Sequence, residues 1–258
     1  AWLSFGLDIN KTIFYRQSDV PIATELAWIL SCHFPYQRLT LAHSFKDKSN
    51  NLNDVNAGIF TYPMLMAADI LLYDAQYVPV GKDQYQHLEM TRDVASRFNN
   101  SYGETFVMPS AKVNESTQLI TGTNGEKMSK SKGNVIDIFL PEKKLKKQIM
   151  SIETDSTSIE DPKDYKSCNV FKLYELIADK DSVNSLKENY KKGGYGYGHA
   201  KKELLSYILT KFSSEREKFN YYMSNLNEID EALNIGATKA HEVAKGVLNR
   251  VREKLGYN

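Results

Sequence analysis

Residues 77–99 read YVPVGKDQYQHLEMTRDVASRFN, and this stretch decides the fold. Its opening, 77–81, is aromatic and β-branched and stops at Gly81, the pattern of a short strand closed by a turn. From 82 to 99 the apolar positions recur at helical spacing, which predicts a strongly amphipathic helix. Strand, glycine, helix is the arrangement that places a nucleotide or small ligand at the carboxyl edge of a parallel sheet. Gly81, without a Cβ, lets the backbone approach such a ligand closely. Asp83 and Gln84 stand at the helix start, where an acidic residue serves the helix dipole as readily as a ligand.

Working outward, residues 12–16 (TIFYR) read as a short strand running into a polar turn at Gln17-Ser18. Ser18 is the expected cap of the next helix, and Pro21 falls in its first turn, where proline is tolerated. Over 23–33 that helix carries Leu26, Ile29, Leu30 and His33 on one face, and Pro35 ends it. Residues 45–51 (FKDKSNN) form a polar loop, and 54–75 a helix interrupted at Pro63. Gly122, Gly125 and Gly133 mark 122–134 as a mobile loop. Beyond Pro141 the chain is mainly helical, with one flexible interruption at 191–198 (KKGGYGYG). The sum is an α/β fold with a parallel sheet first and a helical domain second.

The 258 residues are 41% hydrophobic and 25% charged, ordinary for a globular chain able to bury a substantial core. No apolar run reaches membrane-spanning length and no basic-then-apolar leader opens the sequence, so a cytoplasmic protein without a membrane partner is expected. Cys32 and Cys168 are too few for a disulfide framework, and no CxxC or Cys/His cluster predicts zinc, an iron–sulfur cluster or any other protein-held metal. Net charge is +1, so any attraction to nucleic acid must be local. Residues 127–147 hold seven lysines against Asp137 and Glu142; taken alone, such a run is a solvated face.

Two constellations carry chemistry. Lys127-Met128-Ser129-Lys130-Ser131 lies within the glycine-bearing loop, and two ammonium groups three residues apart on such a loop can fold over a polyphosphate. Residues 62–71 read YPMLMAADIL, with Tyr62, Met66 and Asp69 at i, i+4 and i+7 on one helical face. Core packing explains a Tyr and Met stripe. It does not explain Asp69, because a carboxylate among Met66, Ala67, Ala68, Ile70 and Leu71 is costly to bury without a partner.

At this point the sequence resembles the class I aminoacyl-tRNA synthetases, and within them the tryptophanyl-tRNA synthetase family. KMSKS at 127–131 is similar to their signature loop, and 62–71 to the amino-acid pocket that tryptophanyl and tyrosyl enzymes share. The stretch 78–93 is similar to the tryptophanyl VPVGxDQxQHxExTRD segment, and Phe45-Lys46-Asp47-Lys48-Ser49 to the FKxKS loop. The resemblance continues through Asp155-Ser156, 192–196 (KGGYG) and a helix start at Gly236-Ala237. Tyrosyl enzymes carry glutamine where this chain has Met66. Indole is apolar except for one N–H donor, which a methionine wall and a single acceptor carboxylate suit, so the chemistry favours tryptophan over tyrosine.

The resemblance implies tryptophan contacts at Tyr62, Met66, Asp69, Val78, Val80 and Gln84, with Tyr62 and Gln84 holding the ammonium group. It implies ATP contacts at Gly81, Lys82, Asp83, Leu119, Lys127, Met128, Ser129, Lys130 and Ser131. Lys48, Lys127 and Lys130 would be catalytic through the polyphosphate, and His87 would pack or bond within the fold. ATP with Mg²⁺, L-tryptophan and tRNA(Trp) are the implied partners, in a homodimer. The implied domains are a Rossmann-like catalytic domain over 1–140, a helical anticodon-binding domain over 141–229, and a last helix over 230–258 packing back on the first. None of His33, His43, His87, His199 and His241 stands in a HIGH-type context, so the chain is expected to begin inside the family's first domain. The rival readings are a tyrosyl-type enzyme, an inactive synthetase-like RNA- or protein-binding module, and a non-synthetase nucleotidyltransferase.

Overall fold

A computed structural model describes residues 1–42, 56–81, 84–112 and 120–257. Lys48 and the rest of the 45–49 loop, Lys82, Asp83 and Leu119 lie outside the described residues. In chain order the elements are α1 (Ile22–His33), α2 (Tyr36–Leu39), α3 (Ala57–Leu71), β1 (Tyr77–Pro79), α4 (Tyr85–Tyr102), β2 (Ser110–Lys112), α5 (Glu142–Met150), α6 (Asn169–Ile177), α7 (Lys180–Lys192), α8 (Tyr197–Lys211), α9 (Ser213–Ser224) and α10 (Leu226–Leu255). They form two compact units, one of Asp8–Ser116 with Asn227–Asn258 and the other of Ala1–Leu7 with Thr117–Leu226.

In the first unit β1 and β2 pair in parallel, with Tyr77 opposite Ser110, Val78 opposite Ala111 and Pro79 opposite Lys112. The Ser110 N–H donates to Gln76 O at 2.8 Å, and the Val80 N–H to Lys112 O at 3.3 Å. The expected α/β character with parallel strands is thus present, and β1 runs through Gly81 into α4 as the sequence implies. Helices α1, α3, α4 and α10 share one core, in which Leu26, Leu30, Met64, Ala68, Val94, Phe98, Ala244 and Val251 are buried. Exposed pairs rim it, among them Arg252 donating from Nε and an NH₂ group to both oxygens of Glu25 at 2.7 and 2.6 Å. Surface pairs contribute about 0–1 kcal/mol. Each fully buried aliphatic or aromatic side chain contributes roughly 1.5–3 kcal/mol, so burial decides.

Three local expectations are corrected. Residues 12–16 are not a strand; they run beside α10, and Tyr15 donates to the Tyr73 hydroxyl at 2.6 Å. Ser18 does not cap α1, whose N-cap is Pro21 without a side-chain bond; the Ser18 hydroxyl instead donates to Asp19. Pro63 does not interrupt its helix: α3 runs continuously from Ala57 to Leu71. An interior proline costs about 3 kcal/mol. Here Pro63, Met64, Ala67, Ala68 and Leu71 are all buried, and that packing offsets the lost bond.

Gly236, read as the start of the last helix, lies ten residues inside α10. A Cβ there would stand 1.8 Å from Phe14 O and 2.6 Å from Phe14 C. The backbone of 12–16 therefore rests directly on the helix, and no side chain fits between them. Gly236→Ala should lower stability by about 1–3 kcal/mol or more, because the obstructing atoms are backbone. Gly246→Ala, on the same helix with nothing within 4 Å of its Cβ position, should be neutral or stabilising by up to about 1 kcal/mol. Urea unfolding of both variants tests this, and equal midpoints would contradict it.

The second unit is helical. Leu145, Ile149, Val170, Phe171, Tyr174, Leu186, Tyr190, Leu204 and Ile208 form its core from α5 to α8. Buried Lys201 of α8 donates to Met150 O at 3.0 Å and Ile152 O at 2.6 Å, covering the carbonyl end of α5 with a cation. The 3₁₀ turn Leu3–Phe5 joins this unit through Phe5, edge-on to Phe139 and Phe212 at 5.9 and 6.1 Å.

Candidate active site

Helix α3 separates its two faces cleanly. Met64, Ala67, Ala68 and Leu71 are buried in the core, whereas Tyr62, Met66 and Asp69 are half-buried on the other side. Core packing thus accounts for Met64, and Met66 is left beside the carboxylate. Asp69 Oδ2 accepts from Gln17 Nε2, and Oδ1 has no hydrogen-bond partner among the described residues. Burial raises the Asp69 pKa above the ordinary carboxylate value, and the Gln17 bond opposes that shift without cancelling it. Tyr15 and Tyr73 stand beside it; burial raises both phenols, and the Asp69 charge adds to the effect. The site therefore offers an aromatic and thioether wall and one carboxylate oxygen still able to accept.

Tyr62 and His87 meet across α3 and α4, with a hydrogen bond between the phenol oxygen and Nε2 and ring centroids 5.3 Å apart. Val78 and Val80 are half-buried at β1, and Gln84 is the N-cap of α4, its N–H bonded to Gly81 O at 3.0 Å. This unit thus carries Tyr62, Met66, Asp69, Val78, Val80, Gly81 and Gln84 on consecutive elements around one β–α turn. Sequence reading did not single out Gln17, Tyr15 or Tyr73; Gln17 looked like an ordinary polar turn residue.

The KMSKS segment belongs to the helical unit. It is a hydrogen-bonded hairpin: Met128 N–H donates to Ile120 O at 2.8 Å, Gly122 N–H to Glu126 O at 2.7 Å, and a 3₁₀ turn at Lys130–Lys132 ends at left-handed Gly133. At its centre lies Asn134, 2% exposed. Its Oδ1 accepts from Ser129 N–H at 2.8 Å, and its Nδ2 donates to Asn124 Oδ1 at 2.7 Å and Lys127 O at 3.1 Å. A Cβ on Gly122 would come within 2.4 Å of that amide, which is why glycine stands there. One buried amide thus ties together positions 124, 127 and 129 of the glycine-bearing loop.

Within the hairpin the Met128 side chain packs on the helical core, and the Ser129 and Ser131 hydroxyls bond each other at 2.8 Å. Lys132 pairs with Glu126 at 2.8 Å and holds that carboxyl below its usual range. Lys127 and Lys130 are exposed and have no ion pair among the described residues. Of the three loop lysines, one is thus paired inside the loop and two have no ion-pair partner among the described residues.

The raised Asp69 pKa has a sign that can be checked. The folded state holds the proton more tightly than the unfolded chain, so the stability linked to Asp69 is full below the unfolded value of 3.8 and is lost as pH rises through the folded one. Asp69→Asn keeps an oxygen for Gln17 and cannot ionise. Its melting temperature relative to wild type should therefore rise between about pH 4 and neutrality. A difference that stays flat or falls over that range would refute the assignment.

The family model for class I tRNA synthetases (W and Y) matches residues 1–213. The tryptophan–tRNA ligase of Campylobacter jejuni strain RM1221 is 49% identical over 256 residues, covering 99% of this chain and 80% of that protein. That of Fusobacterium nucleatum is 46% identical, covering 99% and 78%. A crystal structure of the Campylobacter jejuni tryptophanyl-tRNA synthetase, complexed with ADP and tryptophan, superposes with a TM-score of 0.94 at 49% identity, over 99% of this chain and 80% of that one. The chain belongs to the class I tRNA synthetases of the tryptophan and tyrosine type, on the tryptophanyl branch.

Proposed function

We propose that the chain activates L-tryptophan with ATP and transfers it to tRNA(Trp). The observation that carries this reading is Asp69, half-buried on the same side of α3 as Met66, with one carboxylate oxygen taken by Gln17 and the other without a hydrogen-bond partner among the described residues. An indole presents one N–H and otherwise apolar surface, and this arrangement supplies one acceptor and otherwise apolar surface. A tyrosine substrate would ask for a polar partner where Met66 stands, which disfavours the tyrosyl alternative.

The first step joins a tryptophan carboxylate oxygen to the α-phosphorus of ATP and breaks the bond to pyrophosphate. The second transfers the tryptophanyl group to a hydroxyl at the tRNA 3′ end and releases AMP. Neither step needs a protein nucleophile, so the protein contributes position and charge. Tyr62 and Gln84 hold the ammonium, Val78, Val80 and Met66 the ring, and Gly81, Lys82, Asp83 and Leu119 the nucleoside. Lys48, Lys127 and Lys130 oppose the negative charge that grows on the leaving pyrophosphate; Mg²⁺ arrives with ATP as part of that substrate. The Ser129–Ser131 bond and the Met128 anchor hold the lysine-bearing turn in shape. The same reading has residues 141–229 binding the anticodon, a homodimer as the assembly and the cytoplasm as the location. Among the described residues no helix is long and apolar enough to cross a membrane.

Two experiments test this proposal. Lys127→Ala and Lys130→Ala should each slow tryptophan-dependent ATP–pyrophosphate exchange by roughly 100-fold, about 3 kcal/mol, while tryptophan affinity changes little. Unchanged exchange in both variants would sink the assignment. Asp69→Asn retains packing, but with its one oxygen held by Gln17 its amide NH₂ meets the indole N–H in place of the charged acceptor. It should cost about 1–3 kcal/mol, or roughly 5- to 150-fold, in kcat/KM for tryptophan. Phenylalanine, without an N–H, should lose much less. If the ratio of the two amino acids is unchanged, Asp69 is not the indole acceptor.

A further inference from the structure

His87 has no part in the proposed contacts to tryptophan, ATP or tRNA. Its ring is 4% exposed on α4, and its Nε2 is hydrogen-bonded to the Tyr62 hydroxyl on α3. The two rings lie 5.3 Å apart with a 43° tilt, so the phenol is held by the neighbouring ring as well as by its oxygen. The assigned role of Tyr62 sets a requirement on that bond. An ammonium group only donates, so a hydroxyl that binds it must accept. A phenol has one hydrogen and two lone pairs, and it presents lone pairs to a ligand only if its hydrogen is directed elsewhere. An imidazole nitrogen without a proton is an acceptor that can take that hydrogen.

We propose that His87 is a positioning residue for the tryptophan ammonium. In the tautomer that leaves Nε2 unprotonated, it accepts the Tyr62 hydrogen, fixes the hydroxyl as an acceptor and turns its lone pairs toward the substrate. The proposal rests on the reading of Tyr62 as an ammonium contact. It concerns the amino group alone: a ligand with the same indole and carboxylate but no amine gains nothing from His87.

Binding of tryptophan and of indole-3-propionate to the full chain tests this, with a melting curve for each variant. Wild type should prefer tryptophan, and His87→Leu, similar in bulk but without an acceptor, should bind it roughly tenfold more weakly with indole-3-propionate little changed. His87→Gln, whose amide oxygen can reach the Tyr62 hydroxyl, should recover most of the preference. If His87→Leu does not fold, His87→Asn, polar but too short to reach, should show the same selective loss. Equal weakening of both ligands, or none, would overturn the proposal and leave His87 a packing residue. Tyr62→Phe separates this from the underlying reading. If it abolishes the preference while His87→Leu keeps it, only the role of His87 falls. If it leaves the preference intact, or wild type has none, the assignment of Tyr62 falls and the proposal with it.

Discussion

The contact on which the amino-acid side of this protein depends is backbone against backbone: the carbonyl of Phe14 lies on α10 at Gly236, where even a methyl group has no room. It fixes the path of residues 12–16, and that path delivers Tyr15 to Tyr73 and Gln17 to Asp69. Along the same face of α10, Ala240 and Ala244 continue the row of small buried residues, so the helix approaches its neighbours closely over several turns. Arg16 pairs with Asp230 beside this contact, and Arg250 pairs with Asp74 at 2.6 Å farther along α10, although exposed pairs add little energy. A helix near the end of the chain thereby determines the geometry of a carboxylate in its first third.

That carboxylate is held at a cost. Asp69 is partly desolvated and has only one oxygen paired among the described residues, so its proton is harder to remove than usual. Partial burial of a carboxylate disfavours its charged form, and a donor that replaces solvent at the second oxygen would offset that. On the proposed function, the second oxygen of Asp69 is the acceptor a ligand with one N–H would use. Gln17 supplies the complementary restraint, since a carboxylate with one oxygen held can turn only the other toward a ligand.

The lysine-bearing hairpin solves a different problem, keeping two exposed lysines three residues apart without an ion-pair partner among the described residues. Asn134 does this with neutral groups: its side-chain amide organises the turn through Ser129, Asn124 and Lys127 without placing an anion beside Lys127 or Lys130. Glu126, the acid in the loop, is committed to Lys132. A carboxylate at position 134 would bring a negative charge beside the two ammonium groups that the proposed function assigns to phosphate.

Much of this was legible along the chain itself, for a physical reason. Helical periodicity, the β1–Gly81–α4 turn, the KMSKS loop and the Tyr62–Met66–Asp69 face are set by residues a few positions apart, and a linear sequence displays such spacings directly. The errors came where a distant partner overrode a local preference. Residues 12–16 have strand chemistry but lie on a helix, Pro63 is carried through α3 by core packing, and Gly236 serves a close approach in mid-helix and does not start one. The bonds of Gln17 to Asp69 and of Tyr62 to His87 span 52 and 25 positions, and nothing in either neighbourhood announces them. The sequence alone determined the candidate groups that lie on single local motifs, Tyr62, Met66 and Asp69 on one helical face and the lysines of KMSKS. Only the tertiary structure decided which oxygen of Asp69 remains free and which group takes the Tyr62 hydroxyl, because hydrogen-bond direction and burial are properties of where chains meet.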